Sequence, residues 1–175
     1  GYLSPFLESK EEDLVKIMNL QFKGPYQFFQ ACIPAMTEGG SIIQISSATA
    51  TIMLDNHAAY MGTKAGIDHV IRTVANEFGE RGIRANSISP GLTASPMTKD
   101  AMAAPGLEDA FLREYPLGRI GTSEDIAAMA VFLCSDECFL SGQNLQVNGG
   151  LTLRRNPRSA DIDASVAQAM ANLEN

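Results

Sequence analysis

The sequence predicts an α/β fold in which this chain supplies about three strands of a larger doubly wound parallel sheet. Three observations lead there. Helix-spaced apolar segments alternate with short apolar runs bounded by turn residues, the pattern of strand–helix–strand units. The runs are residues 41–46, 83–89 and 143–147. Helices outweigh these strands, and three parallel strands alone would leave a long apolar edge unpaired.

The elements follow in order. Ser9-x-x-Glu12 resembles a capping box, and Leu14, Ile17, Met18 and Phe22 follow at helical spacing. The spacing resumes with Phe28, Phe29, Cys32, Ile33 and Met36, so a helix kinked near residues 20–25 by Gly24-Pro25 is predicted, ending at Gly39-Gly40. A strand over Ser41 to Ser46 leads through a loop to a helix from Ala58 to Phe78, closed by Gly79 to Gly82. Ile83 to Ser89 alternates and reads as a second strand, stopped by Pro90-Gly91. Residues 92–117 are irregular, with a short helix around Leu107 to Glu114. Ser123-Glu124-Asp125 opens a helix running to Cys134, and Gln143 to Val147 is the third strand. Residues 1–152 thus read as one catalytic unit. Residues 153–175 form a tail whose Ile162, Val166, Met170 and Leu173 share one helical face, suited to a neighbouring subunit.

Composition narrows the function classes. Hydrophobic residues make up 45% of the 175 and charged residues 19%, the mix of an ordinary globular protein. No apolar run reaches the ~18 residues of a membrane helix, which predicts a soluble, cytoplasmic protein with no membrane partner. Thirteen basic against twenty acidic residues argue against nucleic acid. Cys32, Cys134 and Cys138 have neither disulfide nor zinc spacing and read as free thiols, so no metal is predicted. The chain opens at Gly1 without Met, directly onto a loop, which reads as processing or as part of a longer protein.

The chemistry centres on Tyr60-Met61-Gly62-Thr63-Lys64, which places a phenol and an ammonium at i and i+4 on one helix face. A phenol is a poor acid–base catalyst at its free pKa of ~10, and a nearby cation lowers it. The pair then suits proton exchange with a carbonyl or hydroxyl oxygen. Ser47, ending the preceding strand, has a hydroxyl to hold the same oxygen. The pair alone proves little, since chance produces it about once in nine such sequences, and a surface Tyr–Lys pair is the plain alternative.

Five further segments agree, in order. Gly40-Ser41-Ile42-Ile43-Gln44-Ile45-Ser46-Ser47, ending thirteen residues before Tyr60, resembles the Ser-bearing strand of the classical short-chain dehydrogenases/reductases. Ala58 to Gly66 resembles that family's active-site helix, and Gly82 to Gly91 the next strand with its Pro-Gly turn. Pro116-Leu117-Gly118-Arg119 through Ser123 to Ala127, and Ser141-Gly142-Gln143 through Val147 to Gly150, resemble its late landmarks. The resemblance covers residues 1 to 150. It implies the C-terminal part of a Rossmann-type fold and an oxidoreductase that interconverts a carbonyl and an alcohol with NAD or NADP.

The resemblance also implies roles. Tyr60 is the general acid/base, Lys64 lowers its pKa and meets the nicotinamide ribose, and Ser47 orients the substrate oxygen, with Ser46 structural. Pro90, Gly91, the Thr93 backbone and Ser95 flank the cofactor. The family often has Asn three before the helix glycine; Gln21 stands there, and Asn19 is two residues out of register. Because Pro25 has no N–H, the Gln21 carbonyl loses its usual helical partner and is free to hold a relay water to Lys64. His57 precedes Tyr60 by three and reads as a solvated loop histidine, His69 as structural, and Met53, Met97 and Met102 as candidate lining of an apolar pocket.

The family's Gly-rich phosphate turn after the first strand, and its Asn-Asn-Ala-Gly strand, do not occur among these residues; Gly1-Tyr2-Leu3 resembles the stretch beyond the latter. Two readings stay open: part of an NAD(P)-dependent enzyme acting on a small carbonyl or alcohol as a homodimer or homotetramer, with little activity expected of these 175 residues alone, or a non-catalytic assembly module pairing through the helices at 21–36 and 58–78.

Overall fold

A computed structural model describes residues 3–173; the Gly1-Tyr2 opening lies outside them. Helix α1 (Glu11–Met18) starts with Glu11, Glu12 and Asp13, where carboxylates favour the positive end of the helix dipole. The predicted capping box does not form. Lys10 is the N-cap with no side-chain bond, and the Ser9 hydroxyl turns back to the Pro5 carbonyl at 3.3 Å. The predicted kink is a π-turn over Asn19–Lys23, in which the Gly24 N–H bonds the Asn19 carbonyl five residues earlier. One extra residue per turn accommodates Pro25 without ending the helix. Helix α2 (Gly24–Cys32) continues from it.

Strands β1 (Gly40–Ile45), β2 (Ile83–Pro90) and β5 (Asn144–Val147) form a parallel sheet in the order β1-β2-β5. Helix α3 (Ala58–Phe78) occupies the predicted span. Its Ile67, Ile71 and Val74 pack with Phe29, Ile33, Ile42, Ile83 and Ala85 on one face of the sheet. On the other face lies α6 (Ser123–Cys134), with Leu133 against Ile88 and Cys138. Helices on both faces explain why β2 is buried along nearly its whole length despite its polar residues. Asn86 is satisfied by donating to the Leu140 carbonyl at 2.8 Å and accepting from the Gln143 N–H at 3.0 Å.

Two short strands were invisible to periodicity. β3 (Thr93–Ala94) and β4 (Gly121–Thr122) pair in parallel as a separate ribbon, which the described residues add to the expected three-stranded sheet. Between them lie α4 (Lys99–Met102) and α5 (Leu107–Leu112). The cap of α6 is Thr122 rather than Ser123, with Asp125 completing a reciprocal capping box. The tail helix α7 (Ser159–Leu173) packs on α5 of its own chain, where Ile162 joins Phe111, Tyr115 and Leu151. Of the predicted tail face, Ile162 is thus engaged within the chain, while Met170 and Leu173 stay exposed. Cys32, Cys134 and Cys138 are free, and no group of His, Cys, Asp or Glu among the described residues is arranged to hold a metal. No described helix is long and apolar enough to cross a membrane.

Candidate active site

Parallel strands present all their carboxyl ends along one border of the sheet, the border where α/β folds place ligands. Ser46-Ser47 leaves β1 there, and Pro90-Gly91 leaves β2. Helix α3 then runs back along the sheet with Tyr60 in its first turn and Lys64 in its second. The three residues singled out from the sequence are therefore brought together by β1, the loop of residues 46–57 and α3.

Ser47 caps the 3-10 turn Ala48–Ala50. Its Oγ accepts from the Thr49 N–H at 3.2 Å and from the Thr49 hydroxyl at 2.9 Å. A hydroxyl has two acceptor positions and one proton. With both acceptors used, the Ser47 proton is left to donate, and the hydroxyl lies near enough to the Tyr60 phenol to influence its pKa. Thr49 was missed in the sequence because it belongs to no helix or strand pattern.

Lys64 is 7% exposed, and its ammonium donates to the Ile45 carbonyl at 2.8 Å. That carbonyl faces the outer edge of β1, because the neighbouring Ser46 N–H faces inward to the Ile88 carbonyl. Lys64 Nζ stands 5.5 Å from the Tyr60 ring centroid. Burial holds the Tyr60 phenol above its ordinary value, with the Ser47 hydrogen bond pulling the other way. Burial likewise lowers Lys64, against the charge of Asp68. The Lys64 ammonium is directed at a backbone carbonyl and lies over the Tyr60 ring.

Gln21 sits half-buried within the π-turn, which packs on α3. The π-turn changes the bonding expected there, since the Asn19 carbonyl takes the Gly24 N–H. Pro90 and Gly91 end β2, and a Cβ on Gly91 would lie 2.2 Å from the Tyr115 hydroxyl. Tyr115, also missed from sequence, is buried beneath this turn, and its desolvation pushes the phenol up to about 12. Thr93 and Ser95 are tied by Thr98, whose hydroxyl donates to the Thr93 carbonyl at 2.7 Å and accepts from the Ser95 N–H at 3.1 Å. Among the other candidates, the His57 ring is edge-on to Tyr60 at 6.3 Å and pairs through Nδ1 with the Asp55 carbonyl at 2.6 Å. His69 is exposed. Met53 and Met97, 65% and 91% exposed, and half-buried Met102 enclose no pocket here.

A profile of the family described as Enoyl-(Acyl carrier protein) reductase matches residues 2–152. A D-threitol dehydrogenase from Mycolicibacterium smegmatis is 35% identical over 155 residues, covering 87% of this chain. The chain belongs to the short-chain dehydrogenase/reductase family. A 3-oxoacyl-(acyl-carrier-protein) reductase from Staphylococcus aureus is 34% identical over 148 residues, covering 83% of this chain. The chain spans 59% of the length of each of these two relatives. Solved family members share its fold. A short-chain type dehydrogenase/reductase from Mycobacterium ulcerans superposes with a TM-score of 0.88 at 32% identity, covering 97% of this chain and 63% of that one. A gluconate 5-dehydrogenase from Burkholderia cenocepacia, solved with NADP and tartrate, gives 0.82 at 26%, covering 86% and 60%. A 4-hydroxyisoleucine dehydrogenase mutant, solved with NADH and succinate, gives 0.84 at 26%, covering 89% and 65%.

Proposed function

We propose that the protein to which this chain belongs interconverts a small carbonyl compound and its alcohol with NAD or NADP. The observation that carries the reading is the Ser47 hydroxyl, both acceptor positions filled by Thr49 and its proton left to donate, close to Tyr60 and Lys64 at the carboxyl ends of β1 and β2. Ser47 holds the substrate oxygen, and Tyr60 gives that oxygen a proton during reduction or takes one during oxidation. Lys64 favours the phenolate by its charge once it turns from the Ile45 carbonyl. The Gln21 carbonyl holds a water in the relay to Lys64.

The residues fit the nicotinamide end of a dinucleotide. Tyr60, Lys64, Pro90, Gly91, Thr93 and Ser95 all lie at the carboxyl ends of β1 and β2 or just beyond. When bound there, NAD(P) supplies or accepts the hydride. No Gly-rich turn that would cradle its phosphates occurs among these 175 residues, so this chain alone is expected to turn over little.

Tyr26, Phe29, Ile33, Val70, Val74 and Phe78 line a cavity between α2 and α3. Homodimer or homotetramer contacts are assigned to this face, which also serves the reading of the chain as a non-catalytic assembly module.

In the protein carrying this segment with its nucleotide-binding portion, Tyr60→Phe is expected to abolish carbonyl reduction while sparing NAD(P) affinity. Retained turnover would remove the assignment to Tyr60, while a parent protein that binds NAD(P) and carbonyl substrates without turnover would leave the assembly module as the better reading.

A further inference from the structure

The active-site reading uses Tyr60 and Lys64 but not Asp68, one further turn along the same face of α3. Asp68 is 8% exposed, and a carboxylate at that depth needs a reason. Its Oδ2 accepts from the Ser46 hydroxyl at 2.7 Å and from the Asn144 amide, which joins α3 to the ends of β1 and β5. The Asn144 carbonyl oxygen takes the Gln146 amide at 2.8 Å, and the Gln146 carbonyl oxygen takes the Asn148 amide at 2.9 Å. A row of side-chain amides thus runs along β5 and ends on this carboxylate.

None of these partners requires a charge. Both donors reach a single oxygen, and an asparagine carbonyl would accept them equally well. The second oxygen, Oδ1, is buried without a hydrogen-bond partner among the described residues. What a carboxylate adds over an amide here is its negative charge, and the charged group one turn back on the same face of α3 is Lys64, also buried, with which it makes no direct ion pair.

Lys64 has few other sources of support. Tyr60 is over its ammonium, and the Ile45 carbonyl takes its hydrogen bond. The facing parts of β2 and β5 contribute neutral Ser87, Ser89 and Asn144. Of the charged residues on α1 and the π-turn, Glu11, Glu12, Lys16 and Lys23 are exposed and Asp13 half-buried; on α3 itself, His69 and Arg72 are exposed. Burial disfavours the ammonium, and Asp68 is the charge that opposes it.

We propose that Asp68 is a positioning residue of the active site, a carboxylate clamped between β1 and β5 that keeps the Lys64 ammonium charged beside Tyr60. The proposal rests on the role given to Lys64 above.

The test follows Lys64 directly rather than turnover. Trace acetylation of the purified protein by acetic anhydride across pH, read on the Lys64 peptide by mass spectrometry, yields the titration of that amine. In Asp68→Asn the hydrogen-bonding shape is kept and the charge lost. Its Lys64 titration is expected to fall by about one pH unit, with thermal unfolding close to that of the parent. Should Asp68→Asn not fold, the double variant S46A/D68V replaces both partners of the buried bond by apolar groups and serves the same comparison. An unmoved Lys64 titration in the folded variant, with or without lost stability, would show a structural tie only and overturn the proposal. This outcome is independent of Tyr60→Phe, which tests the catalytic reading by itself.

Discussion

Thr49 determines what Ser47 can do. By filling both acceptor positions of the Ser47 oxygen it converts a free rotor into an aimed donor. Thr49→Val removes the hydroxyl contact and keeps the backbone one. Loss of one such bond is worth ~1.4 kcal/mol, so kcat/KM is expected to drop about tenfold with NAD(P) affinity unchanged. Unaltered steady-state kinetics would exclude the aiming role. In the proposed role, Tyr60 sets the pH behaviour. Burial raises its phenol, so the proton is retained at neutral pH. Alcohol oxidation, which needs the phenolate, is expected to rise with pH through the alkaline range. Carbonyl reduction, which needs the phenol, stays level until the group ionises and then falls. Parallel pH–rate profiles in the two directions check this sign.

Among the elements, α6 illustrates how caps are read one residue out. The Ser-Glu-Asp stretch 123–125 signals a helix start, but the cap is Thr122, whose hydroxyl accepts from the Asp125 N–H. Asp125 returns a bond to the Thr122 N–H at 2.8 Å and takes two from Arg119 at 2.7 Å each. Thr122→Ala should cost ~1 kcal/mol, a fall in Tm of about 2–4 °C by thermal unfolding. The Arg119 bonds, then those of Thr122, hold the Asp125 carboxyl well below the ordinary carboxylate range. A depressed folded pKa means stability present above the unfolded value and lost as pH falls through the folded one, so this contribution is intact at neutral pH and fades only in acid. The span of α3 was legible because its apolar stripe and closing glycines are local. The π-turn was not, because Gly24-Pro25 shows that a helix must adjust without showing how.

Across the whole molecule, the tail changes the picture most. Helix α7 lies on α5, the Asn156 amide donates to the Met53 carbonyl at 3.1 Å, and the Ser159 N–H bonds Asp55 at 2.8 Å. These contacts tie the irregular segment 92–117 and the loop before Tyr60 into one unit. Gly106 sits at φ +78°, and a Cβ there would lie 2.3 Å from the Ser165 carbonyl. Gly106→Ala is expected to part α5 from α7 at a backbone strain of ~1–2 kcal/mol. Hydrogen exchange should then quicken in residues 51–57 and 99–115 while β2 stays protected. Unchanged exchange in 51–57 would show that the tail does not hold that loop.

The family, the main helices and the three strands of the sheet were readable along the chain, as were Ser47, Tyr60 and Lys64 as a candidate trio, because periodicity, turn residues and short motifs act over a few residues. The direction of the Lys64 ammonium, the aiming of Ser47 by Thr49, the buried Asp68 and the docking of the tail were not. Each depends on groups far apart in sequence: Ser46 and Asn144 meet on Asp68 only because parallel pairing brings the ends of β1 and β5 to the same flank of α3. Local patterns specify elements, while the free energy of a buried charge depends on what the fold sets beside it.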